Sequence, residues 1–151
     1  MRLRSLTFAC LAAAAATLGA CDGPTAPGWQ LQVARLKWER TRPAAYTFSI
    51  ARWCYCMQEG IGPVIVSVRD GVVESRTYAG SGAAVGPTYA DFFPTVDGLF
   101  ELIEDARRQG ADAIDVTYDP ALGFPVVISI DYVRAAADDE ITYRATDFHP
   151  R

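Results

Sequence analysis

The sequence predicts an α+β domain in which two helices cover one face of an antiparallel sheet of about six strands. Three observations support this prediction: a hairpin pattern at residues 63–78, an amphipathic helix pattern at residues 95–109, and an order of helix, strand, strand, strand that occurs twice. The strands alternate apolar and polar side chains, so one face of the sheet needs a cover and the other can contact water.

The hairpin is the clearest of these signals. Valines at positions 64, 66 and 68 alternate with other residues until Asp70-Gly71 interrupts the run. Asp-Gly is typical of the type I′ turn in a two-residue hairpin, because both residues can adopt a positive φ. A two-residue turn predicts that Ser67 faces Glu74 and that the valines share one apolar face.

The other elements of the first half are read in chain order. A helix is predicted at residues 29–40, because Leu31, Ala34 and Trp38 are spaced by three and four residues. Pro43 is expected to end it. Residues 46–50 alternate as a strand. Residues 79–87, AGSGAAVGP, are expected to form a flexible loop.

The second half begins with the strongest helix pattern, at residues 95–109. Thr95 is expected to cap it, Glu104 and Arg108 to pair on its surface, and Gly110 to end it. Its apolar stripe consists of Val96, Leu99, Phe100, Ile103 and Ala106. Strands are predicted at residues 113–118, 125–132 and 141–148.

The two halves resemble each other in sequence. PVIVSV at residues 63–68 matches PVVISI at residues 125–130, with an offset of 62 residues. We therefore predict an internal αβββ duplication within a single compact domain.

The N-terminus has the features of an export signal. Two arginines precede an apolar run, residues 6–18, which is too short to span a bilayer, and small residues then precede Cys21. Residues 1–20 are predicted to be a lipoprotein signal peptide, and Cys21 to carry the lipid after cleavage. Residues 21–28 are a Pro- and Gly-rich linker, and residues 29–151 form the domain.

Composition and charge exclude several function classes. The net charge is −4 and basic residues do not cluster, so nucleic acid is not expected as a partner. The only histidine is His149, near the C-terminus, where a catalytic triad would depend on a frayed tail. The acidic run at residues 138–140 is read as a solvated turn. We predict a protein that is not an enzyme and has no cofactor and no metal.

Cys54 and Cys56 are the strongest candidates for special chemistry. They lie in residues 53–62, a segment by which the first half is about four residues longer than the second. Residues two apart in a regular strand have Cα atoms about 6.6 Å apart, near the upper limit for a disulfide, so closure needs a bend. A disulfide is favoured in an exported domain. Two free thiols, or a copper site that also uses Met57, remain alternatives.

Aromatic residues surround the same region. Trp53, Tyr55 and Tyr89 are candidate binding residues, because aromatic side chains on loops often anchor protein interfaces. Phe92 and Phe93 precede a helix and are expected to fill the core.

A set of residues and short motifs is spread over the whole predicted domain: Trp38, Cys54-Tyr55-Cys56, VSVRDG at 66–71, PTVDGLF at 94–100, VTYD at 116–119, GFP at 123–125, Asp131, Asp139-Glu140 and Tyr143. Together they resemble one known family, the bacterial lipoproteins that share domain of unknown function 6174. The likeness spans about residues 29–148 and implies no activity. In outline, the αβββ plan also looks like exported inhibitory modules of the PepSY type.

These observations predict a lipid-anchored binding module on the non-cytoplasmic side of a membrane, periplasmic or extracellular. Its partner would be an envelope protein or peptide, bound by the loop that contains Cys54 and Cys56 or by the open sheet face. The alternative is a thiol-based copper or redox protein.

Overall fold

The computed structural model describes residues 28–151. The predicted signal peptide, the predicted lipidation site at Cys21 and most of the predicted linker lie outside these residues. No helix among the described residues combines the length and the apolar character that a bilayer crossing requires.

Six strands form one sheet in the order β3-β2-β1-β6-β5-β4, and all neighbouring strands are antiparallel. The strands are β1 (Ala45–Trp53), β2 (Val64–Arg69), β3 (Val72–Tyr78), β4 (Ala113–Tyr118), β5 (Pro125–Asp131) and β6 (Ile141–Pro150). The helices are α1 (Gly28–Thr41), the short α2 (Pro87–Ala90) and α3 (Val96–Gln109). The predicted α+β class and the six-stranded antiparallel sheet are confirmed. Helix α2 was not predicted and lies at the end of the expected loop.

One face of the sheet forms the core together with α1 and α3. The valines of β2 at positions 64, 66 and 68 are fully buried, and each faces a buried residue of β1. In β5, Ile128 and Ile130 continue this apolar face. The predicted stripes of both helices are buried, three residues in α1 and five in α3. The apolar alternation read from the sequence therefore identifies the covered face of the sheet.

The ends of α3 are as predicted, but its surface ion pairs are not. The Thr95 side chain accepts a hydrogen bond of 3.1 Å from the Gly98 amide, and Gly110 ends the helix with a φ of 76°. Glu104 does not pair with Arg108. It accepts a 2.6 Å hydrogen bond from Arg35 of α1, and Arg108 pairs with Asp105. The helix–helix contact places a cation from another element within reach of Glu104.

The hairpin has the predicted turn and a shifted register. Asp70 and Gly71 have φ angles of 51° and 78°, as a type I′ turn requires. However, Ser67 lies opposite Ser75 rather than Glu74, because a bulge inserts one extra residue in β3. Glu74 still reaches across, and its carboxylate accepts a 2.9 Å hydrogen bond from Ser67.

The order helix, strand, strand, strand occurs twice along the chain, but the two copies cannot be superimposed. Across the sheet, β3-β2-β1 is followed by β6-β5-β4, so the copies repeat in the same order. The middle strands β2 and β5 run in opposite directions, because every neighbouring pair between them is antiparallel. Both copies nevertheless pack on helices at the same face. To superimpose the two copies, a rotation would have to reverse the direction of the strands, keep their order across the sheet and keep the helices on the same face. No rotation does all three. The predicted duplication is therefore wrong as a structural repeat.

Trp38 of α1 lies at the junction of the helices with the sheet and is fully buried. Its indole N–H donates a 3.0 Å hydrogen bond to Asp97 at the start of α3. Its ring makes edge contacts with Tyr46, Phe124 and Phe148, at centroid distances of 5.5, 6.0 and 5.8 Å. One side chain therefore joins α1, α3, β1 and β6.

Replacement of Trp38 by alanine is expected to lower the free energy of unfolding by about 3–5 kcal/mol, since it leaves a large cavity and removes the hydrogen bond to Asp97, which keeps only Arg42 as a side-chain donor. Trp29 on the same helix is 65% exposed. The matched control Trp29→Ala is expected to change stability by only about 0.5 kcal/mol. Urea unfolding followed by circular dichroism measures both. Equal losses in the two variants would contradict this account of the core.

Candidate functional site

The candidate site is the CxC loop, defined here as residues 53–62, which leaves the end of β1. The Cys54 and Cys56 sulfur atoms lie 1.96 Å apart, at disulfide distance. Their Cα atoms are 5.3 Å apart, closer than the roughly 6.6 Å of a regular strand. The Cys56 amide donates a 2.9 Å hydrogen bond to the Cys54 carbonyl. The predicted bend is therefore present, and it closes a short ring at the start of the loop.

Arg52 holds the loop from beneath. Its side chain is only 7% exposed, and its guanidinium lies 4.2 Å from the Phe92 ring centre and 5.4 Å from that of Tyr143. It donates a 3.0 Å hydrogen bond to the Gly60 carbonyl. The Arg52 backbone amide donates a 2.8 Å hydrogen bond to the Ile61 carbonyl. A buried cation is costly to leave unsolvated, and here two aromatic faces and a carbonyl replace part of its water, while Nε has no hydrogen-bond partner among the described residues.

Arg52 is the functional residue that the sequence analysis missed. The sequence does contain a signal for it, namely its place in the alternation of core-facing and solvent-facing residues along β1. Tyr46, Phe48 and Ile50 all face the core, so the next even-numbered residue faces it too. An arginine at a core-facing position needs partners, and this need marks it as a structural anchor.

The far end of the loop is also fixed. The Tyr78 hydroxyl donates a 2.8 Å hydrogen bond to the Glu59 carbonyl, which ties the loop to β3. Gly62 has a φ of 85°, and a Cβ at this position would lie 2.9 Å from the Ile50 carbonyl oxygen. Only glycine suits this close approach. The loop is therefore held at both ends while its tip faces solvent.

The tip exposes large side chains. Trp53, Tyr55 and Met57 are 52%, 85% and 68% exposed. Trp53 also lies 5.8 Å from the Arg144 guanidinium of β6. Tyr89, the third predicted binding residue, is half-buried and packs edge-on against Phe92 at 6.0 Å. Trp53 and Tyr55 are thus exposed in the loop, whereas Tyr89 lies outside it and packs on Phe92.

The two phenylalanines before α3 have different environments. Phe93 is fully buried, as predicted. Phe92 is 37% exposed and stacks on the Arg52 guanidinium, so it supports the loop instead of filling the core.

The open face of the sheet continues from Trp53. The odd-numbered residues of β1, which include Thr47, Ser49 and Ala51, lie on this face and are half-buried. In β5 and β6, Ser129 and Thr142 form a 3.2 Å hydrogen bond on the same face. Ile65 and Arg144 lie beside these small side chains on the same face, and Trp53 stands at one end of it.

At the other end of the open face, Glu74 is surrounded by hydrogen-bond donors. Arg69 donates to it at 2.6 Å, Ser67 at 2.9 Å and Arg151 at 2.5 Å. The hydrogen bonds from Arg69, Arg151 and Ser67 lower the pKa of Glu74 from 4.5 to about 2. This carboxylate therefore stays ionised throughout the physiological range.

The lone histidine and the acidic run at residues 138–140 both have structural positions. His149 pairs with Thr47 as part of β6, so it does not lie in a frayed tail. The Asp139 carboxylate accepts a 2.6 Å hydrogen bond from the Val133 amide and closes the β5–β6 turn. Within residues 28–151, no three His, Cys, Asp or Glu side chains are grouped so that they could hold a metal ion.

Comparison with known proteins gives one match. The model of a protein family described as "Family of unknown function (DUF6174)" matches residues 30–150. No curated protein matches this chain. No solved structure matches it either.

Replacement of Arg52 by alanine is expected to release the loop, because it removes the bond to Gly60 and the stacking on Phe92. Amide hydrogen exchange across residues 54–62 should become at least about tenfold faster, which corresponds to the loss of about 1.4 kcal/mol of local stability. The control Arg144→Ala removes an exposed arginine that contacts only Trp53 in this region. Unchanged exchange in Arg52→Ala would refute the anchoring role.

Glu74 is expected to make stability depend on pH under acidic conditions. Its pKa is lower in the folded chain than in the unfolded chain, so its contribution is complete above pH 4.5 and is lost as the pH falls towards 2. Glu74→Gln should lower the urea midpoint at pH 7 and flatten its dependence between pH 5 and 2. Arg151→Ala, which removes one of three donors, should give an intermediate slope. A wild-type slope in Glu74→Gln would contradict this assignment.

Proposed function

Since the chain belongs to this family of unknown function, we propose its role from its own residues: it is a lipid-anchored, exported binding module without enzymatic activity. Its ligand is a protein or peptide of the cell envelope. The contact surface consists of the tip of the CxC loop and the adjoining open face of the sheet.

The observation that carries this proposal is an exposed aromatic tip on a fixed loop. Trp53, Tyr55 and Met57 are side chains of the types enriched in protein interfaces. Hot-spot residues of this kind supply most of the binding free energy in many complexes. The loop is already ordered by Arg52, by Tyr78 and by the cysteine pair, so binding would lose little conformational entropy.

The open face of the sheet extends this surface. Trp53 belongs to the odd-numbered side of β1, so the tip and the small side chains of the sheet lie on the same side of the molecule. A peptide or protein that contacts Trp53 can therefore rest on Ala51 and Ser49 as well. This arrangement favours one continuous contact surface over two separate sites.

The location and the anchor are proposed from the N-terminal sequence. A basic start, a short apolar run and small residues before Cys21 are the features of a lipoprotein signal. After cleavage, Cys21 would hold the domain to the non-cytoplasmic surface of a membrane, in the periplasm or outside the cell.

A thiol-based copper or redox role is the second candidate. The observation in its favour is that Cys56 is exposed beside Met57, so a reduced pair could reach a soft metal or another thiol. Among the described residues, no carboxylate or histidine completes a group of three ligands around the pair. The binding role accounts for more features of the loop than the copper or redox role does, because it also accounts for the exposed Trp53 and Tyr55.

Capture experiments with the chain from Cys21 onward test the binding role. Trp53→Ala combined with Tyr55→Ala is expected to lower recovery of an envelope partner by about tenfold or more. The matched control is Val72→Ala, which truncates an apolar residue that is 67% exposed at the hairpin turn. A partner profile that is the same for both variants would contradict the proposal.

Thiol counting and copper titration on the same protein separate the two roles. An intact Cys54–Cys56 bond without metal uptake is expected for the binding module. Stoichiometric Cu(I) binding, or rapid thiol exchange at neutral pH, would favour the second candidate. Mass spectrometry of the chain isolated from membranes shows separately whether Cys21 carries a lipid.

A further inference from the structure

Helix α1 is apolar on two opposite sides. Leu31, Ala34 and Trp38 face the core and are buried. Trp29, Val33 and Leu36 are 65%, 58% and 51% exposed. These three residues are spaced by four and then three positions, so they form a second stripe along the helix. At 100° per residue, the centres of the two stripes are about 180° apart, and the second stripe points away from the sheet. We call Trp29, Val33 and Leu36 the outer stripe.

Beside the outer stripe is a shallow apolar groove. Trp29 and Val33 form one wall, and residues of the β4–β5 turn form the other: Tyr118, Asp119, Pro120 and Gly123. The groove extends the exposed apolar surface from the helix onto the turn. Contiguous exposed apolar surface at one place on a domain marks an interaction site.

The charges around this surface identify the kind of partner. Arg40 lies on the same side of α1 as the outer stripe, eleven residues after Trp29. Lys37 lines the groove and donates a hydrogen bond to the Pro120 carbonyl. The acid in the groove wall, Asp119, accepts hydrogen bonds from two backbone amides of its own turn. The Arg107 guanidinium lies against the first residue of α1, since a Cβ on Gly28 would be 2.6 Å from its Nη2. The acid at Glu39 is paired with Arg35 at 3.5 Å. Exposed Trp, Val and Leu side chains near basic residues suit the interface of an anionic phospholipid bilayer.

The distance to the anchor points to the same partner. The seven residues 22–28 lead from Cys21 to the end of the linker at Gly28, where α1 begins. At about 3.3–3.6 Å per residue, they span at most roughly 23–25 Å. A lipid on Cys21 would therefore keep the start of α1 close to the membrane surface. A tether of this length makes even a weak interfacial affinity sufficient for steady contact.

We propose that the outer stripe of α1 lies on the anionic phospholipid interface of the membrane that holds the anchor, and so fixes the orientation of the domain. The proposal rests on the proposed lipid anchor at Cys21. Trp29 would be placed at the level of the head groups, where tryptophan is favoured, and the flanking cations would face lipid phosphates.

Two tryptophan variants test this contact directly. The chain from Cys21 onward is coupled through Cys21 to a maleimide-bearing lipid in vesicles that contain phosphatidylglycerol and brominated phospholipids. This coupling supplies the tether whether or not cells attach a lipid to Cys21, so failure of the anchor and failure of the contact are distinguishable. Trp53→Phe retains Trp29, and Trp29→Phe retains Trp53, while both keep the buried Trp38. Quenching of tryptophan fluorescence is expected in Trp53→Phe and not in Trp29→Phe.

A charge placed in the outer stripe supplies the second test. Val33→Glu, made in the Trp53→Phe chain, is expected to reduce quenching to the level of Trp29→Phe, because burial of a valine changes an equilibrium by about tenfold or more. Val72→Glu, at a site 67% exposed on the hairpin, should leave quenching unchanged. Absence of quenching in tethered Trp53→Phe overturns the proposal. So does a dimer in vesicle-free solution that Val33→Glu dissociates, since a second copy would then cover the stripe.

Discussion

The pairing of β1 with β6 is the contact on which the rest of this structure depends. It joins two three-stranded meanders into one sheet, and it brings the first strand of the domain beside the last. The Arg151 amide donates a 2.8 Å hydrogen bond to the Ala45 carbonyl, so the two ends of the domain are fastened at this seam. A three-stranded sheet under a single helix would bury little surface, whereas the joined sheet gives α1 and α3 one continuous apolar face.

The same seam arranges the functional residues. Because β6 lies beside β1, Tyr143 is placed under Arg52, and Arg144 is placed near Trp53. The support of the CxC loop therefore comes from residues about ninety positions away in sequence, as well as from Phe92 before α3. Loop geometry of this kind is a product of the tertiary fold. It would not persist in an isolated peptide of residues 53–62, which lacks Arg52 and the rings of Phe92 and Tyr143 that hold Arg52 in place.

Local patterns predicted most of the fold. The Asp70-Gly71 turn, the cap at Thr95 and the valines of β2 each depend on neighbours within a few residues, so the sequence was sufficient to identify them. Strand order depends on contacts between distant segments, which no short pattern encodes. This is why the repeated αβββ order was read as a duplication. The repeat in sequence was real, but the directions of β2 and β5 make the two halves of opposite hand.

The candidate site was predicted in part, for the same reason. The bend at Cys54 and Cys56 and the exposure of Tyr55 follow from local features, namely the short cysteine spacing and the end of the alternation. The anchoring role of Arg52 depends on which distant aromatic rings reach the loop. The same is true of the difference between Phe92, which stacks on Arg52, and Phe93, which fills the core. The outer stripe of α1 is encoded locally as well, by the spacing of Trp29, Val33 and Leu36. An amphipathic helix needs only one apolar side to pack on its own domain, so a second apolar side indicates an interaction surface.

The two proposed surfaces are compatible because they lie on opposite sides of one sheet. Helices α1 and α3 cover a single face, and the outer stripe of α1 points away from that face. Trp53 belongs to the uncovered face, on the other side of the sheet. If α1 rests on the bilayer, the uncovered face and its aromatic tip are directed away from the lipid, towards soluble or membrane-bound partners. A domain that rested on its open face would instead bury Trp53 in the interface and expose the outer stripe to water. In this arrangement, the orientation of the domain on the membrane would determine whether the CxC loop is accessible. The contact that holds α1 to the membrane would leave the CxC loop free to bind.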